Sequence, residues 1–235
     1  MKGQLPLFQI PQVKNVKNNV FFSTFFAERE NDVVGCGPVQ AYSSRTEIFC
    51  EDNIAKVVYL IERGIVMLSR LEPDGRRRIV GIRGRDWLLA APPVFLGIPY
   101  QFTGTTVTPC HLRPITAKCF LHLLKTNESF SWEMHRLFSQ EILRNLQKVV
   151  VTSMSADDRL KHFLCRLITE MTPVESKIQN YFKVPLKHKE LAEIVGVSPE
   201  HLSRVIKKMQ QKGILRSTKG MLTIMDASRL ISVSL

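Results

Sequence analysis

Residues 187–209 read KHKELAEIVGVSPEHLSRVIKKM, and the reading of this stretch decides the fold. Two helices joined by a tight turn need particular residues at fixed places. Ala192 is small where the second helix must pass close to the first. Gly196 falls in the turn, where a left-handed backbone is easiest for glycine. Leu191, Val195, Val197, Leu202 and Val205 supply the apolar contacts that lock the angle between the helices. Ser198 is placed to cap the second helix, and Pro199 falls at its first position. An αα-hairpin of any helical domain shares some of these features, but the full set predicts a helix-turn-helix.

The outer side of that second helix carries Glu200, Ser203, Arg204, Lys207 and Lys208. Arginine can donate a bidentate pair to guanine O6 and N7, glutamate can accept from cytosine N4, and serine can do either. Glu200, Ser203 and Arg204 are therefore candidates for base readout. Lys187, His188, Lys189, Ser198, His201, Lys207, Lys208 and Lys219 are candidates for contacts to the DNA backbone. A solvated charged face accounts equally well for Lys207 and Lys208. It accounts less well for a glutamate at the tip of a basic helix, unless Glu200 serves the helix dipole or pairs with Arg204. Downstream, residues 213–217 and 221–224 flank Thr218-Lys219-Gly220, which reads as a hairpin: the wing of a winged helix.

Upstream, the pattern is helical and then β. Ser155 and the acidic Asp157 and Asp158 open a helix carrying Leu160, Phe163, Leu164, Leu167 and Ile168. Residues 172–183 read as a polar loop. Asn127 can cap a longer helix running to about Met154. Its Phe138, Ile142, Leu146 and Val149 step by 4, 4 and 3, and Leu143 and Val150 widen the stripe. Such a stripe packs either on the preceding domain or on a second copy of the same helix. Residues 46–113 are short apolar runs punctuated by Gly and Pro, which predicts an all-β unit. Residues 1–40 are poorly patterned, apart from an aromatic cluster at Phe21, Phe22, Phe25 and Phe26.

Lys and Arg number 33 against 21 Asp and Glu, a net charge of +12 that favours a polyanionic partner. Residues 155–235 hold 14 Lys and Arg against 8 Asp and Glu, so half of the surplus lies elsewhere and only the motif singles out the DNA end. Five cysteines without a CxxC argue against a disulfide framework and a zinc ribbon, and no metal site is expected. No P-loop, G-x-G-x-x-G, G-x-S-x-G or HExxH occurs, so no enzyme is expected. The residues 87–112 lack charge but are broken by proline and glycine, too short in each apolar run for a membrane span. A soluble cytoplasmic protein with no membrane partner is expected.

The order of parts over residues 42–235 resembles the Crp/Fnr family of bacterial transcription regulators. TEIFCEDNIAKVVYLIERGIVML looks like its β-roll, and PDGRRRIVGIRGRDW like the turn and strand leading to its ligand-facing segment. TAKCFLHLLKTN is similar to the helix before its dimerisation helix, and KELAEIVGVSPEHLSRVIKKM to its DNA-binding motif. The resemblance implies an α+β chain: a cyclic-nucleotide-binding-like β-roll effector domain over residues 1–126, a dimerisation helix over 127–154, and a winged helix-turn-helix over 155–235. It implies a homodimer on a pseudo-palindrome of double-stranded DNA, in contact with RNA polymerase. Glu200, Ser203 and Arg204 fit the E-x-x-S-R pattern of the Fnr-like branch, which implies a TTGAT-like half-site containing TGA.

The sensor departs from the resemblance. Cyclic-nucleotide binders of the family hold the sugar-phosphate with a Gly-Glu pair and an Arg-Ser or Arg-Thr. The corresponding WLLAAPPVFLGIPYQFTGTT has no Glu and no Arg, so cyclic AMP is not expected. An Fnr-type iron–sulfur cluster needs four thiolates, and only Cys36 precedes the β-roll. His111, His122 and His135 leave haem open. Trp87, Leu88, Phe95 and Tyr100 either line a pocket for a small-molecule effector or belong to the core. Cys36, Cys110 and Cys119 are either a thiol switch or inert. The alternative to DNA readout is a winged-helix interaction module without sequence preference.

Overall fold

The computed structural model describes residues 20–29, 35–171, 181–218, 221–226 and 230, with the side chains of 147–150 and 169 outside that set. A short helix, α1 (Phe21–Ala27), precedes strands β1 (Gln40–Tyr42), β2 (Glu47–Phe49), β3 (Val57–Arg63), β4 (Val66–Leu71), β5 (Arg77–Arg83) and β6 (Leu88–Leu89). Then come α2 (Ala91–Leu96), β7 (Thr103–Thr106) and β8 (Cys110–Thr116). The strands form two four-stranded antiparallel sheets, ordered β1-β8-β3-β6 and β2-β7-β4-β5. β3 and β4 are consecutive yet lie in different sheets. The corner between them is Gly64, at φ +98°, where an added Cβ would lie 2.5 Å from the Cys110 Sγ and from the Pro109 carbonyl oxygen.

Alternation along β3 explains how the roll is filled. Successive side chains point to opposite faces. Val58 and Leu60 enter one core with α1, while Tyr59 and Ile61 enter the interior of the roll with Phe49, Leu89, Tyr100 and Leu112. Residues 20–29, which as sequence show only an aromatic cluster, owe their helix to long-range contacts. Phe22, Phe25 and Phe26 of α1 are buried around Phe130. The helix has no side-chain cap of its own. Asp86 instead accepts from the backbone N–H groups of Phe22 (3.2 Å) and Ser23 (2.7 Å).

Helices α3 (Ala117–Thr126), α4 (Glu128–Thr152) and α5 (Ala156–Met171) start where local capping rules place them. The Asn127 side chain accepts from the Phe130 N–H at 2.9 Å, and Ser155 from the Asp158 N–H at 3.2 Å. The C-terminal part is β9 (Phe182–Val184), α6 (His188–Val195), α7 (Pro199–Gln211), β10 (Leu215–Thr218) and β11 (Met221–Ile224). The expected polar loop over 172–183 needs correction at its end, since Phe182–Val184 is a strand paired with β11 through Leu222↔Val184 and Ile224↔Phe182. The wing is therefore the edge of a three-stranded sheet. Three residues are too few for a period-2 pattern to show, and their partner lies about 40 residues downstream. The rest of the expected loop, 172–180, lies outside the described residues, as does Lys219 at the wing tip.

The roll and the C-terminal helices share one core. Ile65, Met67, Ile82 and Val107 of the roll pack with Leu160, Leu164, Leu167, Leu191 and Val195 of the C-terminal helices. Polar contacts fix the same junction. Arg45 pairs with Glu190, Glu193 accepts from the Ile79 N–H, and Glu170 accepts from the Gly84 N–H. Gly84 permits the last approach, because a Cβ there would stand 2.5 Å from the Glu170 carbonyl oxygen.

Candidate nucleic-acid interface

The helix-turn-helix forms as its residues require. Gly196 adopts φ +71°, and its N–H returns to the carbonyls of Ala192 and Glu193. The Ser198 hydroxyl accepts from the His201 N–H at 3.2 Å, and Pro199 begins α7. Leu202, Val205, Ile206 and Met209 are buried on the inner side of α7, while Glu200, Ser203, Arg204, Lys207 and Lys208 are exposed on the outer side. Leu191, Ala192 and Val195 of α6 are buried against them, and Val197 is half-buried. Replacing the cap, Ser198→Ala, is expected to cost about 1 kcal/mol in urea unfolding. An unchanged midpoint would show that the hydroxyl does not hold the helix end.

The three base-readout candidates are brought together on one exposed face. The Glu200 carboxyl is held below the usual carboxylate range by its own backbone N–H and the Ser198 side chain, with Arg204 adding to the effect. Ser203 donates to the Pro199 carbonyl at 3.0 Å and stands 3.4 Å from His188 Nε2. Among the backbone-contact candidates, Lys187 and Lys189 are exposed beside α6, and His201 and Lys207 along α7. Lys208 differs, because it is drawn back to Asp157 of α5 and its pKa is raised by that contact. Arg216, Ser217 and Thr218 are exposed on β10, beside the wing, and sequence reasoning did not single them out. The signal was a lone arginine in a short polar run, which any surface strand shares.

Helix α4 has two working sides. Phe130, Met134 and Leu137 are buried against the roll. Trp132, Ile142, Leu143 and Leu146 are 71%, 60%, 54% and 61% exposed. Of the expected stripe, Ile142 and Leu146 stand on this open side, and the side chain of Val149 lies outside the described set. Phe138 needs correction, for it is half-buried against its own domain. It sits between the two sides, where the apolar periodicity runs together. Trp132 was missed because Ser139, one heptad on, breaks the apolar repeat.

The four effector-pocket candidates do not converge. Leu88 and Tyr100 are buried in different clusters, and Tyr100 donates to the Val57 carbonyl at 3.0 Å. Phe95 is exposed on α2. Trp87 lies beneath two guanidinium groups, Arg83 at 4.7 Å and Arg144 at 5.3 Å. Inside the roll, the Phe49 ring lies 4.7 Å from that of Tyr100 and 5.8 Å from that of Tyr59. Burial pushes the thiols of Cys110, Cys119 and Cys165 up, Cys119 to about 11, which disfavours reactive thiolate there. Among the described residues no helix is long and apolar enough to cross a membrane.

A β-roll joined by a long helix to a winged helix-turn-helix is the build of an effector-domain transcription regulator. The cyclic nucleotide-binding domain family matches residues 39–127, and the Crp-like helix-turn-helix domain family matches residues 158–233. The chain belongs to the Crp/Fnr family of DNA-binding transcription regulators. It is 23% identical over 193 residues to the transcriptional activatory protein AadR of Rhodopseudomonas palustris, covering 80% of this chain and 77% of that protein. It is 22% identical over 194 residues to the nitrogen fixation regulation protein FixK of Bradyrhizobium diazoefficiens, covering 80% and 78%. The structure of FixK2 from Bradyrhizobium japonicum superposes with a TM-score of 0.68 at 18% identity, over 83% of this chain and 96% of that one.

Proposed function

We propose that the protein acts as a homodimer and regulates transcription from a pseudo-palindromic site with TTGAT-like half-sites. The observation that carries this reading is the outer face of α7, where Glu200, Ser203 and Arg204 are exposed together while the opposite side is buried. Arg204 reads a guanine of the half-site, and Glu200 takes the amino group of a cytosine. The exposed lysines beside α6 and α7 supply the phosphate contacts. RNA polymerase is the further partner, and the cytoplasm, where the DNA lies, is the compartment.

The open side of α4 supports the dimer. Four large apolar side chains within 15 residues form a patch that water disfavours, and a second copy of the helix covers it in register. Leu146→Glu is therefore expected to shift the protein to a monomer in sedimentation. The same variant then loses most of its affinity for the two-half-site duplex. A dimeric Leu146→Glu protein would show that the interface lies elsewhere.

The reading includes no cyclic nucleotide and no iron–sulfur cluster. A phosphate needs a cation. The residues 87–112, which include α2, carry none, and Phe49, Tyr59 and Tyr100 occupy the interior of the roll. Nearby Arg113 is engaged with Glu62 at 2.7 Å. The five described cysteines are spread along the chain: Cys36 lies by Cys119 of α3, while Cys110 is on β8 and Cys165 on α5.

The test is binding to a labelled TTGAT-N4-ATCAA duplex against a scrambled one across a salt series. Specific binding is expected to exceed non-specific by at least ~10³-fold. Equal, purely salt-dependent binding to both would overturn the half-site and favour the interaction-module reading.

A further inference from the structure

Between β5, the C-terminal part of α4 from Arg144 on, helix α5 and the turn after α6 lies a cavity of about 390 Å³. Ile79, Phe163 and Ile194 give it apolar walls, and Arg144, Arg159, Arg166 and His162 give it a cationic edge. Among the described residues, no Asp or Glu lines it. A cavity of this size at a domain junction is where small molecules bind.

The charge around it is not balanced from within. Glu141 is committed to Arg83. Glu170 stands 3.7 Å from Arg144, a long contact. Arg159 gathers the carbonyls of Val195 (2.7 Å) and Met154 (2.8 Å), which hold the guanidinium without neutralising it. Among the described residues, no ion pair joins a carboxylate to Arg166, although Glu170 and Glu141 both act on it through space. Burial lowers the pKa of Arg166, against the pull of Glu170 and Glu141, and that of His162, where Arg166 adds to the effect. Arg144 lies about half a turn around α4 from Ile142 and Leu146, and about a quarter turn from Leu143.

We propose that this cavity binds a small organic anion, a carboxylate or phosphate carried on an apolar body, between Arg144 and Arg166. The anion meets the cationic edge, and its body covers Phe163 and Ile194. Because the walls come from β5 and from Gly196 of the helix-turn-helix, the ligand ties the placement of α7 to the roll. Its effect on DNA affinity then equals the effect of DNA on its own affinity. The site stands independently of which half-site α7 reads.

The test uses the full chain without DNA, so its failure is separate from that of the DNA reading. Calorimetry at constant ionic strength compares phenyl phosphate, phthalate, inorganic phosphate and neutral benzyl alcohol. Saturable binding of phenyl phosphate or phthalate, tighter than inorganic phosphate and absent for benzyl alcohol, is expected. Which of the two binds tells phosphate from carboxylate. Arg166→Gln is expected to weaken it about tenfold or more, and Arg166→Lys less, because the lysine keeps the charge but not the fork. Arg144→Gln, on another helix, provides the same measurement should Arg166→Gln fail to fold by circular dichroism. No saturable binding up to about 10 mM, where affinity is already negligible, would overturn the proposal. So would equal affinities in wild type and both Gln variants.

Discussion

Arg204→Ala is expected to erase the preference for the palindromic duplex while leaving the stability of the protein unchanged. Arg204 is exposed on α7, and in the free protein its side chain touches Glu200 only through charge. Nothing in the fold depends on it. On DNA it can form two parallel hydrogen bonds to one guanine, worth about 1–3 kcal/mol of discrimination per half-site. Two half-sites in a dimer make that about 2–6 kcal/mol, or roughly 30-fold to 10⁴-fold in affinity. Anisotropy titrations on the palindromic and scrambled duplexes read the difference. Lys207→Ala serves as the contrast, since losing a phosphate contact in each half-site weakens both duplexes alike and flattens the salt dependence by about two units. If Arg204→Ala weakened both duplexes equally, Arg204 would be a phosphate ligand and the base assignment would fall.

Phe130→Ala is expected to cost about 3–5 kcal/mol of stability. Phe130 is fully buried at the start of α4, with the rings of Phe22, Phe25, Phe26 and Phe120 at 5.4–6.0 Å. Four aromatic side chains around one ring cannot collapse into the space left, so the cavity term adds to the lost burial. Because three of those rings belong to α1, the variant is also expected to release that helix, seen as faster proteolysis near residues 20–35. Phe130→Leu, which refills most of the volume, is expected to recover over half of the loss. A loss under about 1 kcal/mol on Phe130→Ala would mean that α1 does not dock on α4 in solution.

How far the sequence reaches depends on the range of the interaction. Asn127, Ser155 and Ser198 were readable as caps because a cap bonds an amide three residues away. The exposed face of α7 was readable for the same reason: a 3.6-residue period separates Arg204 from Val205 within the motif itself. Phe138 was misplaced because periodicity gives a face without saying what covers it. The face covered by the molecule's own domain and the open face of α4 adjoin at that residue. Whether Trp87, Leu88, Phe95 and Tyr100 line a pocket or belong to the core was equally outside the reach of local pattern. The four are neighbours in sequence, yet they diverge to two cores, to solvent and to a pair of guanidinium groups.

By itself, then, the sequence determined the local machinery: the left-handed turn at Gly196, the capped start of α7, and the residues presented on its outer side. These follow from contacts closed within one or two helical turns, so neighbouring residues suffice to specify them. Only the tertiary structure decided the rest. Asp86 caps α1 from more than 60 residues away, Phe182–Val184 becomes a strand by pairing with β11, and Arg144, Arg159, Arg166 and His162 meet around one cavity. Those arrangements depend on which distant surfaces bury one another, and hydrophobic burial is non-directional, so no local spacing names the partner.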